Sequence, residues 1–201
     1  MKIESLDTLR ALYPPAKDRS VKKQLAHLDS HCRQFIALSP FVVLSSSSAE
    51  WTMDASPRGG APGFVKTPDE HTVLIPDAPG NNRLDTLENI IATNQLGLLF
   101  LIPGVDETLR VNGTAVLSVD DESLRHFADE RRQPKLVIKV TVTEAYLHCA
   151  KALMRSDLWN VERHVGRATL PSMGQMLKDQ IGGDAPPETQ DEMVRRYTED
   201  L

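Results

Sequence analysis

Apolar residues return every third or fourth position near the start of the chain: Leu6, Leu9 and Leu12, then Val21, Leu25, Leu28, Cys32, Phe35 and Ile36. This period predicts helix over residues 5–37, divided in two by Pro14-Pro15. From Pro40 the pattern changes to β. The apolar run 41–44, the polar turn 45–50 and the segment 51–55 predict a hairpin, and the Pro- and Gly-rich stretch 56–63 interrupts the strand pattern. Residues 64–66 and 72–75 read as the next strand pair, turned at 67–70. Three longer strands follow at 96–102, 107–118 and 136–148. The first two are joined by Pro103-Gly104-Val105-Asp106, and the last two by a short helical turn at 121–127. In the last strand Leu136, Ile138, Val140 and Val142 share one face.

Before residue 96 the period becomes helical again. Leu84, Leu87, Ile90 and Ile91 mark a short amphipathic helix, and Asp85 to Glu88 reads as a capping box. Unpaired N–H groups at such a helix start point toward Asn82 and Arg83. An anion there gains from the helix dipole and the guanidinium together, whereas a plain cap with a surface arginine is the bland alternative. Six or seven strands with close turns and short helical crossovers predict a mainly β fold with flanking helices, an antiparallel barrel rather than a parallel sheet. The chain is read as one domain over 1–201: N-terminal helices over 1–38, a barrel over 39–149 and a helical arm over 150–201. That arm ends in a charged helix near 187–200 and is expected to pack over the barrel.

With 201 residues the chain can bury a substantial core. A net charge of −5 and no cluster of lysines and arginines argue against nucleic acid as a partner. The only cysteines, Cys32 and Cys149, are far apart, so neither a disulfide framework nor a zinc knuckle is indicated. No window approaches about 18 uninterrupted apolar residues, and the first residues lack a signal-peptide core, so a soluble cytoplasmic protein is expected.

Taken in order, several blocks resemble the pyridoxamine 5′-phosphate oxidase-like family of FMN-binding split β-barrels, in its branch of FMN-dependent enzymes of unknown substrate. These blocks are Ser56-Pro57-Arg58-Gly59 with Pro62-Gly63-Phe64-Val65, then Ile75-Pro76-Asp77 with Gly80-Asn81-Asn82-Arg83-Leu84-Asp85-Thr86, Leu109-Arg110-Val111-Asn112-Gly113, and His148-Cys149-Ala150-Lys151 through Trp159. The resemblance covers roughly residues 30–180. It implies a homodimer with FMN in the cleft between subunits, and an FMN-dependent oxidoreductase acting on a small-molecule substrate. Arg83 and Arg58 would hold the phosphate, helped by Asn82 and Thr86. The backbone of 64–66, with Val65 and Lys66, and of 75–77, with Ile75 and Pro76, would run along the flavin edge. Thr108 would face the partner's flavin, and Lys151, Arg155 and Trp159 would border the ring and substrate space. Leu84 stands where the vitamin oxidase carries a lysine, and that oxidase's C-terminal arginine- and histidine-bearing motif is missing. Pyridoxamine phosphate is therefore not the expected substrate. A flavin reductase using nicotinamide nucleotides and a non-catalytic flavin or haem carrier are the alternative readings.

Each of these residues also has a plainer role. Pro57 and two glycines around Arg58 bend the backbone for a ligand or for a barrel corner. Thr108 and Arg110 are read as positions of opposite facing, with Arg110 equally suited to a salt bridge between subunits. Lys151, Arg155 and Trp159, at i, i+4 and i+8, share a helix face that is either a wall for an anion or a solvated basic face. His148 is expected to be a structural histidine and the His27/His31 pair a surface pair, with no metal site. The serines at 45–48 lack a nucleophile elbow and need only be a polar hairpin.

Overall fold

A computed structural model describes residues 2–199. Six antiparallel strands form one curled sheet in the order β2-β1-β4-β5-β6-β3, a split barrel with flanking helices: β1 Phe41–Ser47, β2 Met53–Gly59, β3 Thr72–Pro76, β4 Gln95–Leu101, β5 Thr108–Ser118 and β6 Val137–His148. Alternation puts Val42, Leu44, Leu98, Phe100, Leu109 and Val111 on the inner face, and each is at most 2% exposed. Helices α3 (Ser30–Leu38) and α4 (Asp85–Thr93) close that core with Ile36 and Ile90. None of the described helices is long and apolar enough to cross a membrane.

The N-terminal helical period is only partly realised. Helices α1 (Leu6–Arg10) and α2 (Asp18–Lys22) are short, and the backbone then leaves the helix to pair Leu25 with Ala145 of β6. The helix restarts only where the Asp29 carboxylate accepts from the Cys32 N–H at 2.8 Å, a side-chain cap strong enough to set a fresh N-terminus. Residues 64–66 do not form a strand. Lys66 makes a single bridge, exchanging both backbone hydrogen bonds with Leu74.

Residues 56–59 do not interrupt the β pattern, because β2 runs through Ser56-Pro57-Arg58-Gly59. An edge strand tolerates Pro57, whose missing N–H faces no neighbour. The β5/β6 ladder has a bulge: Asn112 pairs with Glu144 but Gly113 with Val142, leaving Thr143 extra. Up to Val142 the even-numbered residues of β6 face the core as the alternation predicts. Beyond the bulge Ala145 does, and Glu144, Tyr146 and His148 turn outward beside Asn112, Arg110 and Thr108.

Contacts divide the chain into two compact units between Ser156 and Asp157. In the second unit α7 (Met173–Ile181) lies against the α8 (Gln190–Thr198) region, with Gly174 so close to the Glu188 backbone that a Cβ would sit 2.1 Å from its carbonyl oxygen. A full capping box between Thr189 and Glu192 starts α8. The predicted final helix extends to Asp200, which lies outside the described residues.

Candidate functional site

The loop before α4 is shaped by two residues with left-handed backbone, Asn82 (φ 58°) and Leu84 (φ 23°), and by an Asx turn in which the Arg83 N–H donates to the Asn81 side chain at 3.1 Å. The capping box does not form. Asp85 is the first helical residue, not the cap, and its carboxylate accepts from Arg83 Nε at 2.6 Å. Leu84 takes the cap position and offers the helix no side-chain acceptor. The first-turn N–H groups of α4 are thus left without a side-chain partner beside a guanidinium, a donor set that fits a phosphate.

Beneath this loop lies a polar network. Thr86, 2% exposed, donates its hydroxyl to Asp54 Oδ2 at 2.6 Å. The same carboxylate accepts from Ser46 at 3.2 Å and from Ser56, which reaches Oδ1 at 2.9 Å, while Asn89 Nδ2 donates to Ser46 at 3.0 Å. Three hydroxyls surround Asp54, and β1, β2 and α4 are joined through it. Asp54 and Asn89 were not singled out from the sequence, and Ser46, expected only as part of a polar hairpin, is instead buried in this network. Their signal was the alternation Asp54, Ser56, Arg58, which sets an acid on the inward side of β2, where a partly buried carboxylate demands hydrogen-bond donors.

The other expected site residues fall into separate groups. Arg58 is half-buried on the inner side of edge strand β2 and donates to the Pro57 carbonyl at 2.9 Å. Val65 (3% exposed) and Ile75 (0%) are core residues, so only their backbone can meet a ligand. Pro76 ends β3, and Lys66 binds Glu130 at 3.1 Å above the Phe127 ring. Thr108 and Arg110 lie on the same face, not opposite ones, since strand positions two apart point the same way; both face outward while Leu109 and Val111 are buried. Lys151 and Arg155 are exposed on α6 (Lys151–Ser156), but the helix stops there and Asp157 turns the backbone to a φ of 52°. Trp159 therefore lies beyond the helix, in the second unit, and the three residues share no helix face.

His27 precedes α3 and meets the His71 ring edge-on at 6.1 Å, so it does not form a helical pair with His31. Among the described residues no three metal-binding side chains assemble. Burial, then the charges of Lys23 and Arg110, lowers the His148 pKa below the ordinary imidazole value.

Comparison with known proteins bears on this geometry. No curated protein matches the chain. A variant of HupZ from Group A Streptococcus superposes with a TM-score of 0.51 at 14% identity, over 60% of this chain and 99% of that one. A candidate pyridoxamine 5′-phosphate oxidase from Lactobacillus delbrueckii gives 0.50 at 18% identity, over 62% and 98%. At such identities these likenesses speak for the fold. The sequence profile described as pyridoxamine 5′-phosphate oxidase matches residues 28–149, which span the sheet, α3, α4 and the Asp54 network. The chain belongs to the pyridoxamine 5′-phosphate oxidase family.

Proposed function

We propose that the chain binds FMN with its phosphate at the start of α4 and works as an FMN-dependent oxidoreductase on a small molecule other than pyridoxamine phosphate. The uncapped first turn of α4, flanked by Arg83 and held to the sheet through Thr86 and Asp54, is the observation that carries this reading. Arg83 supplies a forked donor, Asn82 a side-chain amide, and Arg58 a second cation from β2. Thr86 acts from below, its hydroxyl donating a hydrogen bond to Asp54. When bound, the flavin supplies a ring that accepts and returns hydride. The departure at Leu84, an aliphatic residue where the vitamin oxidase carries a lysine, together with the missing C-terminal motif, supports a different substrate.

A homodimer belongs to the same proposal, with FMN between the subunits. Its support is the outer face of the sheet, where Phe41 and Met53 are 38% and 69% exposed in the single chain, a burden that a second copy would relieve.

The test is FMN titration of the purified chain, with Arg83→Ala expected to weaken binding at least tenfold, about 1.4 kcal/mol. Bleaching of bound flavin by NADH or NADPH without oxygen separates an oxidoreductase from a carrier. Unchanged affinity in Arg83→Ala removes the phosphate from α4, and failure to take up FMN at all ends the proposal.

A further inference from the structure

On the face of the sheet opposite α4, three cationic or ionisable groups converge on one aromatic ring. Lys23 Nζ stands 5.2 Å from the Tyr146 ring centroid and the Arg110 guanidinium 5.7 Å from it, while the His148 ring lies 5.0 Å from the Tyr146 ring. They come from three places in the chain: the segment after α2, strand β5, and the outer turn of β6 created by the bulge at Thr143.

Among the described residues Glu144, on the same outward side of β6 as Tyr146 and His148, makes no ion pair with either cation. Glu144 is held by amides instead, accepting from Gln24 Nε2 at 2.6 Å and from Asn112 Nδ2 at 2.9 Å. Lys23 donates to the Leu147 carbonyl, and Arg110 gives only its Nε, to Asn112 Oδ1 at 3.5 Å. Among the described residues no carboxylate pairs with Lys23 or Arg110, and no hydrogen bond reaches either nitrogen of His148. Like charges gathered on one ring are held by cation–π attraction but repel one another, and an anion between them would relieve that repulsion. Thr108, paired with His148 across the ladder, adds a hydroxyl at the edge of the group.

We propose that Lys23, Arg110 and His148, arranged about Tyr146, form a second anion site that takes a small phosphate-type oxyanion. Arg110 offers the terminal edge of its guanidinium, Lys23 a point charge, and protonated His148 a third donor. Binding draws a proton onto His148, since the anion favours the charged ring that burial, and then Lys23 and Arg110, now oppose. Lys23, Arg110 and His148 are not among the residues proposed to hold FMN, although Thr108 at the edge of the group is expected to face the partner's flavin. The test therefore reads His148 and phosphate rather than flavin, so its failure and that of the flavin proposal are distinguishable.

The probe is inorganic phosphate added to the purified full chain, with the His148 imidazole followed by NMR across its titration and potassium chloride at equal ionic strength as the control. Saturable shifts with phosphate and a raised His148 titration midpoint are expected, with binding at least tenfold weaker, about 1.4 kcal/mol, in Arg110→Gln. Lys23→Gln is the second variant should Arg110→Gln fail to fold, with loss in the same direction. A His148 titration indifferent to phosphate, an equal response to chloride, or unchanged binding in the folded variants overturns the proposal.

Discussion

The Thr86 hydroxyl donates to the Asp54 carboxylate across 2.6 Å, tying the first turn of α4 to edge strand β2. The loop that carries Arg83 therefore rests on a side-chain bond between two elements 32 residues apart in sequence. Thr86→Val keeps the shape and removes the donor. It should lower unfolding free energy by about 1–3 kcal/mol in urea titration, with Thr86→Ser restoring most of the loss. Asp54→Ala, which strands three hydroxyls at once, should cost more than Thr86→Val. Equal stability of Thr86→Val and the wild type would mean the bond contributes nothing.

Asp85 competes with any anion for Arg83, accepting from its Nε and placing a negative charge at the helix start. Asp85→Asn keeps a hydrogen-bonding side chain and removes the charge, so FMN affinity should rise about threefold or more, in the opposite sense to Arg83→Ala. A fall in affinity on fluorescence titration would instead show that Asp85 holds Arg83 in the binding geometry.

Gly113 sits at the β5/β6 bulge, where a Cβ would come within 2.1 Å of the Thr141 carbonyl oxygen. Backbone cannot yield as a flexible side chain would. Gly113→Ala should cost at least about 1–3 kcal/mol, the range typical of overpacking, and thermal unfolding measures it. Gly80→Ala, with nothing within 4 Å of the new methyl, is the matched control and should stay close to the wild type.

His148 contributes a pH dependence of definite sign. Its pKa in the folded protein is lowered, by burial first and then by Lys23 and Arg110, so the unfolded chain takes up its proton at higher pH than the folded one. Stability should fall as pH drops through the ordinary imidazole value of about 6.5 and flatten below the lowered folded value. His148→Gln should reduce that slope in urea titrations between roughly pH 7 and 5. An identical slope in the variant would place the dependence elsewhere.

The two thiols should differ in reactivity. Cys32 is 3% exposed and burial pushes its pKa up to about 12, with the Asp29 side chain adding to the rise, whereas Cys149 is exposed at the end of β6. Iodoacetamide at neutral pH should modify Cys149 alone in the native protein, and both after denaturation. Peptide mass mapping reads the outcome, and rapid labelling of Cys32 in the native state would contradict its burial.

β1, β3, the three long strands and α4 were legible because their periods are strong, whereas β2 was read as 51–55 and cut short before Pro57, and 64–66 was read as a strand it does not form. Three long strands lie within two residues of where alternation puts them. The Arg83 segment was also visible, as a cation before an amphipathic helix. The break between Leu25 and Leu28 was not, because their spacing suits a helix, and only pairing with Ala145 and with the Glu70 carbonyl draws the backbone out of it. Asp54 escaped notice for a similar reason: an acid in a short polar strand reads as solvated until Ser46, Ser56 and Thr86 are brought around it from three elements.

The sequence by itself determined most strands of the split barrel, the helix that follows Arg83 and the family, since these rest on local periodicity and on motifs in order. Tertiary structure decided which residues meet. The clearest case is Tyr146 and His148. Continuing the alternation of β6 from Val142 would aim both at the core, yet one extra residue at Thr143 turns them outward beside Arg110. A bulge is a property of two paired strands, formed where Gly113 lets β6 come close, so alternation within one strand cannot announce it.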